Sequence, residues 1–379
     1  MNRLIIIGNG FDMAHGLKTS YMDFIDWYWA QRVNTFANNT TKVSKDSLCR
    51  LIINDNSDLS SWSVFSFNNS YFFKDIFHKE RYSGTEIIQE IQSHPEYFSV
   101  ECSPFFQKIM QSIEAKGWVD IENDYYQILK DNIDNPNCHF RVSELNEELA
   151  FLQSKLVEYL LTIKQGDFRN DLSGAMQDNF NPSDFSTEGK KKALDNIGLD
   201  ISDFVGIRHN PEKYNKALPE RTMILSFNYT ETAERYGDDN TVHNYIHGKL
   251  DDPQHIIFGY GDELDKKYQD MVDKNDNEFL RNVKSVRYLE TRNYHDMLEF
   301  LSVAPFQVMI MGHSCGNSDR TLLNTVFEHE NCVSIKPFYH VRADGTDNYM
   351  EIVQNISRNF TNMKLYRDRV VNKKQCKTM

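Results

Sequence analysis

Three short runs of the chain put glycine and small polar side chains immediately after a stretch of apolar residues. They are Gly8-Asn9-Gly10-Phe11-Asp12, Ser226-Phe227-Asn228-Tyr229-Thr230 and Met311-Gly312-His313-Ser314-Cys315-Gly316-Asn317-Ser318-Asp319. Two glycines one residue apart allow a tight turn and let the backbone approach a pyrophosphate. The same pair equally suits a strand-to-helix turn that holds nothing. Asp12 would repel a phosphate, so it is assigned either to capping the following turn or to ribose hydroxyls. Asn228 and Thr230 can face a ligand, or can form an Asx-turn or N-cap for a helix over 231–236. His247 ends the run Val242-His243-Asn244-Tyr245-Ile246-His247 just before Gly248. A lone histidine is more often a surface or satisfied core residue, but near Asn228 at the same sheet edge an imidazole can exchange protons near neutral pH. In the third run Ser318 or Asp319 is expected to cap the next helix, whose positive end would point into the same crevice. Cys315 reads as a nucleophile or as an inert loop thiol, and the second is the commoner case.

Elements that hold these runs follow from the apolar pattern. Residues 4–7 are apolar without polar alternation, as in a parallel strand buried on both faces. Strand-like runs recur at 222–227, 241–246, 255–258, 307–311, 333–341 and 363–366. Helical patterns lie at 262–282, 294–302, 319–330 and 349–360. Alternating strands and helices predict an α/β fold with a mostly parallel sheet, and ligands in such sheets bind beyond the carboxyl ends of the strands. Ser20 and Asp23 make a capping box for a helix from Tyr21. Between them the chain turns polar and helical: 104–116 and 142–164 are amphipathic, the latter with Leu145, Leu149, Leu152, Leu156, Leu160 and Ile163 on one stripe. Residues 165–181 read as a loop. The expected organisation is a nucleotide-binding domain from 1–33 and 216–379, with a large helical insertion over 34–215.

Composition narrows the function. A formal charge of −13, from 55 acidic against 42 basic side chains, disfavours general nucleic-acid binding. The six cysteines, Cys49, Cys102, Cys138, Cys315, Cys332 and Cys376, include no CxxC pair, so no metal site is expected. The apolar start is too short for a signal peptide's core and no run reaches about 18 apolar residues. The expectation is a cytoplasmic protein with reduced thiols and no membrane partner.

The opening Ile5-Ile6-Ile7-Gly8-Asn9-Gly10-Phe11-Asp12-Met13-Ala14-His15-Gly16-Leu17, followed by Thr19-Ser20-Tyr21, resembles the AbiH family of bacterial abortive-infection proteins. Ser226 to Thr230, Ile246-His247-Gly248, Phe258-Gly259-Tyr260-Gly261 and Gly312-His313-Ser314 occur in that family's order, and Trp118 to Tyr125 resembles a further element. That family is in turn similar to the sirtuin-like NAD-binding fold. The resemblance implies a Rossmann-like sheet and a cytoplasmic hydrolase of antiviral defence that cleaves the nicotinamide–ribose bond of NAD. It implies Asn228 and His247 as catalytic residues. Gly8, Asn9, Gly10, Phe11, Asp12, Thr19, Tyr21, Thr230, Gly312, His313 and Ser314 would hold the nucleotide. Asp120 and Glu122 would add a carboxylate from the insertion, or else form a solvated or capping pair. No cofactor is required, since NAD is the substrate. A phage-derived activator and a homo-oligomer are the partners considered. Without a cysteine zinc module, a deacylase is not expected, and Asp12 stands where a small residue would adjoin the phosphates. The rival reading is a non-catalytic nucleotide-sensing or protein-interaction module of a defence system.

Overall fold

A computed structural model describes residues 1–37, 42–54, 82–116, 120–135 and 141–379. Trp118, Val119 and Cys138 lie outside the described residues. Two compact units are formed, one by residues 1–18 with 164–379 and the other by 19–163.

Among the described residues the strands are β1 Asn2–Ile7, β2 Val43–Lys45, β3 Cys49–Ile53, β4 Phe98–Cys102, β5 Thr222–Ser226, β6 Thr241–Tyr245, β7 Phe306–Met311 and β8 Cys332–Pro337. The first unit carries a five-stranded sheet in the order β6-β5-β1-β7-β8, parallel throughout. Every residue of β1 is buried, as its unbroken apolar run requires. Leu4 and Ile6 face a core built with Val308, Ile310, Leu323 and Ile356. Ile5 and Ile7 face another with Met309, Met311, Leu172 and Met176.

The second unit is not wholly helical. β2, β3 and β4 form a three-stranded antiparallel sheet beside helices that include Tyr21–Ala37, Pro104–Lys116 and Val142–Leu160. The Ser20 and Asp23 capping box is present: Asp23 N–H donates to Ser20 Oγ at 3.1 Å, and Ser20 N–H to the Asp23 carboxylate at 3.3 Å. The five leucines of the 142–160 stripe are buried.

The boundaries also differ from the sequence expectation of 34–215. Helix Tyr21–Ala37 belongs to the second unit, where Asp26 accepts a hydrogen bond from Thr85 N–H at 3.0 Å. Residues 164–215 belong to the first. There Phe180, Phe185, Ala193 and Ile197 pack with Met1 and Val333.

Several local elements differ too. Residues 165–181 contain the helix Asn170–Gln177, whose Leu172, Ala175 and Met176 are buried; its polar exposed face hid them. Residues 363–366 are helical, not extended, because Asn362 Oδ1 accepts from Lys364 N–H and Leu365 N–H. Residues 255–258 form no strand, although Ile256, Ile257 and Phe258 are buried. The stretch 262–282 is α-helical only over Lys266–Asp273, followed by a short 3-10 helix at Asn277–Phe279 after Asn275 adopts φ 53°.

Candidate functional site

Parallel register decides what meets at the carboxyl edge of the sheet. Ile7 lies level with Ser226 and Met311, and Ser226 with Tyr245. Asn228, His247 and His313 each stand two residues further on, so three separate loops deliver them to one level. The three runs noted in the sequence and His247 are therefore neighbours in space, all within the first unit.

The glycine turn is closed by backbone. Gly10 N–H donates to Gly312 O at 2.8 Å. A Cβ on Gly10 would lie 2.8 Å from that oxygen, and one on Gly312, whose φ is 75°, would lie 2.0 Å from Phe11 N. Glycine here is demanded by the close approach of two loops. The space assigned from sequence to a pyrophosphate beside Gly10 is thus occupied by the β7 loop. Phe11 is fully buried and packs on Ile5 and Ile7, with His15 and Tyr236 against its ring; it is a core residue. Asn9 is exposed.

Asn228 is 8% exposed and its Nδ2–H donates to Gly8 O at 3.0 Å. Thr230 precedes the short 3-10 helix Glu231–Arg235 without a side-chain cap; its hydroxyl donates instead to Asp12 Oδ2 at 2.6 Å. Both side chains expected to cap a helix or face a ligand therefore tie the β5 loop to the β1 loop. Asp12 is 1% exposed, and its Oδ1 is buried without a hydrogen-bond partner. Burial raises its carboxyl above the usual range, against hydrogen bonds from Thr230, Thr232 and Asn228.

His247 belongs to a second cluster. Its Nε2 lies 3.3 Å from Asp319 Oδ1 and 3.4 Å from Tyr288 Oη. Lys284, fully buried, donates from Nζ to Asp319 Oδ1 at 2.7 Å. His313 Nε2 is 3.6 Å from Asp319 Oδ2. Burial first, and the Lys284 charge next, push the His247 pKa down to about 4, against the upward pull of Asp319. Burial pushes the Asp319 carboxyl up, but Lys284 and the two imidazoles more than offset it and hold it well below the ordinary value. Asp319 makes no side-chain cap on the helix Arg320–Phe327; its carboxylate is turned inward to Lys284 and the two imidazoles.

Lys284 and Asp319 are brought together by the run Phe258-Gly259-Tyr260-Gly261. Lys284 N–H donates to Tyr260 O at 3.0 Å, and Gly261 N–H to Ser318 O at 2.9 Å. Nothing in the sequence marks Lys284 or Tyr288, and the place of Ser318 and Asp319 before a helix points to a cap instead. The glycines of 258–261 were the one available signal that something packs closely there.

Other expected residues fall elsewhere. Thr19 and Tyr21 belong to the second unit. Ser314 is exposed and its carbonyl accepts from Asn355 Nδ2–H at 2.8 Å. Cys315 is buried in the core, where burial pushes its thiol up, which is the inert reading. Asp120 caps the helix Ile121–Asp134 by accepting from Asn123 N–H at 3.1 Å, and Glu122 is buried within the second unit. Among the described residues, no group of three His, Cys, Asp or Glu is placed to hold a metal ion. No described helix is long and apolar enough to cross a membrane.

A family model described as "Bacteriophage abortive infection AbiH" matches residues 4–340. The chain belongs to the AbiH family. No curated protein matches it. The family match runs from β1 through β8 and so takes in both clusters, the Asp12 group and the Asp319 group.

Proposed function

We propose that this AbiH chain hydrolyses NAD at the nicotinamide–ribose bond, in the cytoplasm, as its part in abortive infection. The strand order, third-second-first-fourth-fifth along the chain of the unit, supports this reading, since dinucleotide-binding Rossmann sheets run in the same sense through their first five strands and hold the ligand beyond the carboxyl strand ends. One observation carries the reading: His247, uncharged at cell pH, sits against Asp319 at that edge, level with Asn228.

Nicotinamide leaves with the bonding electrons, and the ribose passes through an oxocarbenium-like state. Water attacking so electron-poor a carbon needs only a weak base, so an imidazole with a pKa near 4 suffices to take its proton late in the step. Asn228, fixed through Gly8 O, would orient the water or a ribose hydroxyl. A phage-derived activator or a second copy of the chain would then act by opening this edge.

The burial of His247 and Asn228, 4% and 8% exposed, favours a second reading, a nucleotide-sensing or protein-interaction module without turnover. Incubating the purified chain with NAD and separating the products distinguishes the two. Free nicotinamide in equal amount to ADP-ribose, lost in His247→Ala, is the expected result. Tight NAD binding with no nicotinamide released would leave the module.

A further inference from the structure

Asp319 is the point on which three basic side chains converge, from three separate stretches of the chain. Lys284 Nζ contacts Oδ1 at 2.7 Å, His247 Nε2 lies 3.3 Å from the same oxygen, and His313 Nε2 is 3.6 Å from Oδ2. Lysine and carboxylate neutralise one another, so neither imidazole is needed as a cation. What the carboxylate does decide is where each ring keeps its single proton.

His313 shows the principle, because its tautomer is set independently. Cys315 N–H donates to His313 Nδ1 at 3.0 Å, so Nδ1 must present a lone pair and the proton must sit on Nε2, toward Asp319. At His247 a lone pair on Nε2 would face a carboxylate oxygen at 3.3 Å, which is repulsive. A proton there faces both that oxygen and Tyr288 Oη. The groups around the ring are Asp319, Lys284, His313 and Tyr288, with Phe227 edge-on at 5.1 Å and Tyr229 at 6.5 Å.

We infer that Asp319, held by Lys284, is a positioning residue that keeps the His247 imidazole as its Nε2–H tautomer and leaves Nδ1 as the atom that accepts the proton. This rests on His247 being the base of the proposed hydrolysis, but the tautomer is a property of the protein alone. The arrangement is a carboxylate behind a histidine, as in a hydrolase triad, with a buried lysine added that keeps the carboxylate ionised. Lys284 also opposes protonation of the ring, so the proton-accepting atom stays available at cell pH.

Long-range ¹H–¹⁵N correlation spectra of protein labelled at its histidine rings, with His247 assigned by its loss in His247→Gln, read the tautomer directly. The parent should show the Nε2–H pattern. The double variant Asp319→Asn/Lys284→Met, which leaves no buried charge alone, should show Nδ1–H in a substantial fraction of molecules. Lys284→Met by itself should keep Nε2–H and raise the His247 pKa. If the parent cleaves NAD, the double variant should lose about tenfold or more in kcat with KM little changed. A parent that shows Nδ1–H, or a double variant as fully Nε2–H as the parent, would overturn the inference. A parent with the expected tautomer that leaves NAD intact would instead remove the hydrolase reading and keep the Asp319 role.

Discussion

Asp12 and Asp319 are carboxylates at the carboxyl edge of one sheet, 1% and 7% exposed, yet they shift in opposite directions. Burial raises Asp12, which has hydroxyl and amide partners but no lysine or arginine among the described residues. Asp319 is as well buried and is held well below the ordinary value, because Lys284 is buried with it. Burial alone therefore does not mark a carboxyl as acid or base; the nearest buried cation does. The β1 loop is accordingly joined to the β7 loop by backbone contact and to the β5 loop by hydrogen bonds from Asn228 and Thr230. The β7 loop is instead held by charge, through Asp319 and Lys284, beside His247 of the β6 loop.

The sharpest way to break this contrast is Lys284→Met. An ionised Asp319 left alone in the core should cost about 3–5 kcal/mol, read by denaturant unfolding, and Asp319→Asn in the same chain should recover much of it. A loss below about 1 kcal/mol would mean that water reaches Asp319 and the ion pair is incidental.

His247 reads the same contrast through pH. Its folded pKa of about 4 lies below the histidine value of 6.5, so between those values the folded state binds fewer protons than the unfolded one and stability rises with pH. Acidifying from pH 7 to 4 should cost about 3 kcal/mol through this residue, and His247→Gln should flatten that slope. Asp319, with its depressed pKa, contributes stability that is lost only at still lower pH, as it is protonated in the folded state. An unchanged slope in His247→Gln would assign the titration to another group.

On the Asp12 side, Gly10→Val should lower stability by about 1–3 kcal/mol, since its Cβ would lie 2.8 Å from Gly312 O. Unaltered melting would show that the two loops part readily, which would suit a nucleotide entering there. Asp12→Asn should have the smallest effect, and of opposite sign. A raised folded pKa means that Asp12 favours folding most when protonated and loses that advantage as pH rises. The amide should thus equal or exceed the parent in stability at pH 7, with the gain fading toward pH 4. A clear loss at pH 7 would show that the charge itself is used.

Much of this edge was legible along the chain, and the misses at the site come from partners distant in sequence. β1, β5 and β7 read as continuous apolar runs because both faces are covered, and Gly8, Gly10 and Gly312 marked a close approach. That approach proved to be loop against loop. Lys284, in Asn282-Val283-Lys284-Ser285-Val286-Arg287, looks like any surface lysine; its partner lies 35 residues further on. Ser318 and Asp319 read as caps because they precede a helix, and 363–366 reads as extended from its side chains alone, although Asn362 caps a helix there.

The sequence by itself determined the family, the parallel α/β character and which loops end at strands. Those are local matters: apolar periodicity, glycine where no Cβ fits, and motif order are carried by neighbours in the chain. Only the tertiary structure decided the strand order, the antiparallel sheet of the second unit, and the directions in which the pKa values of Asp12, His247 and Asp319 shift. Desolvation and ion pairing depend on groups far apart in sequence, so the charge of a side chain at this edge is settled by what the fold buries beside it.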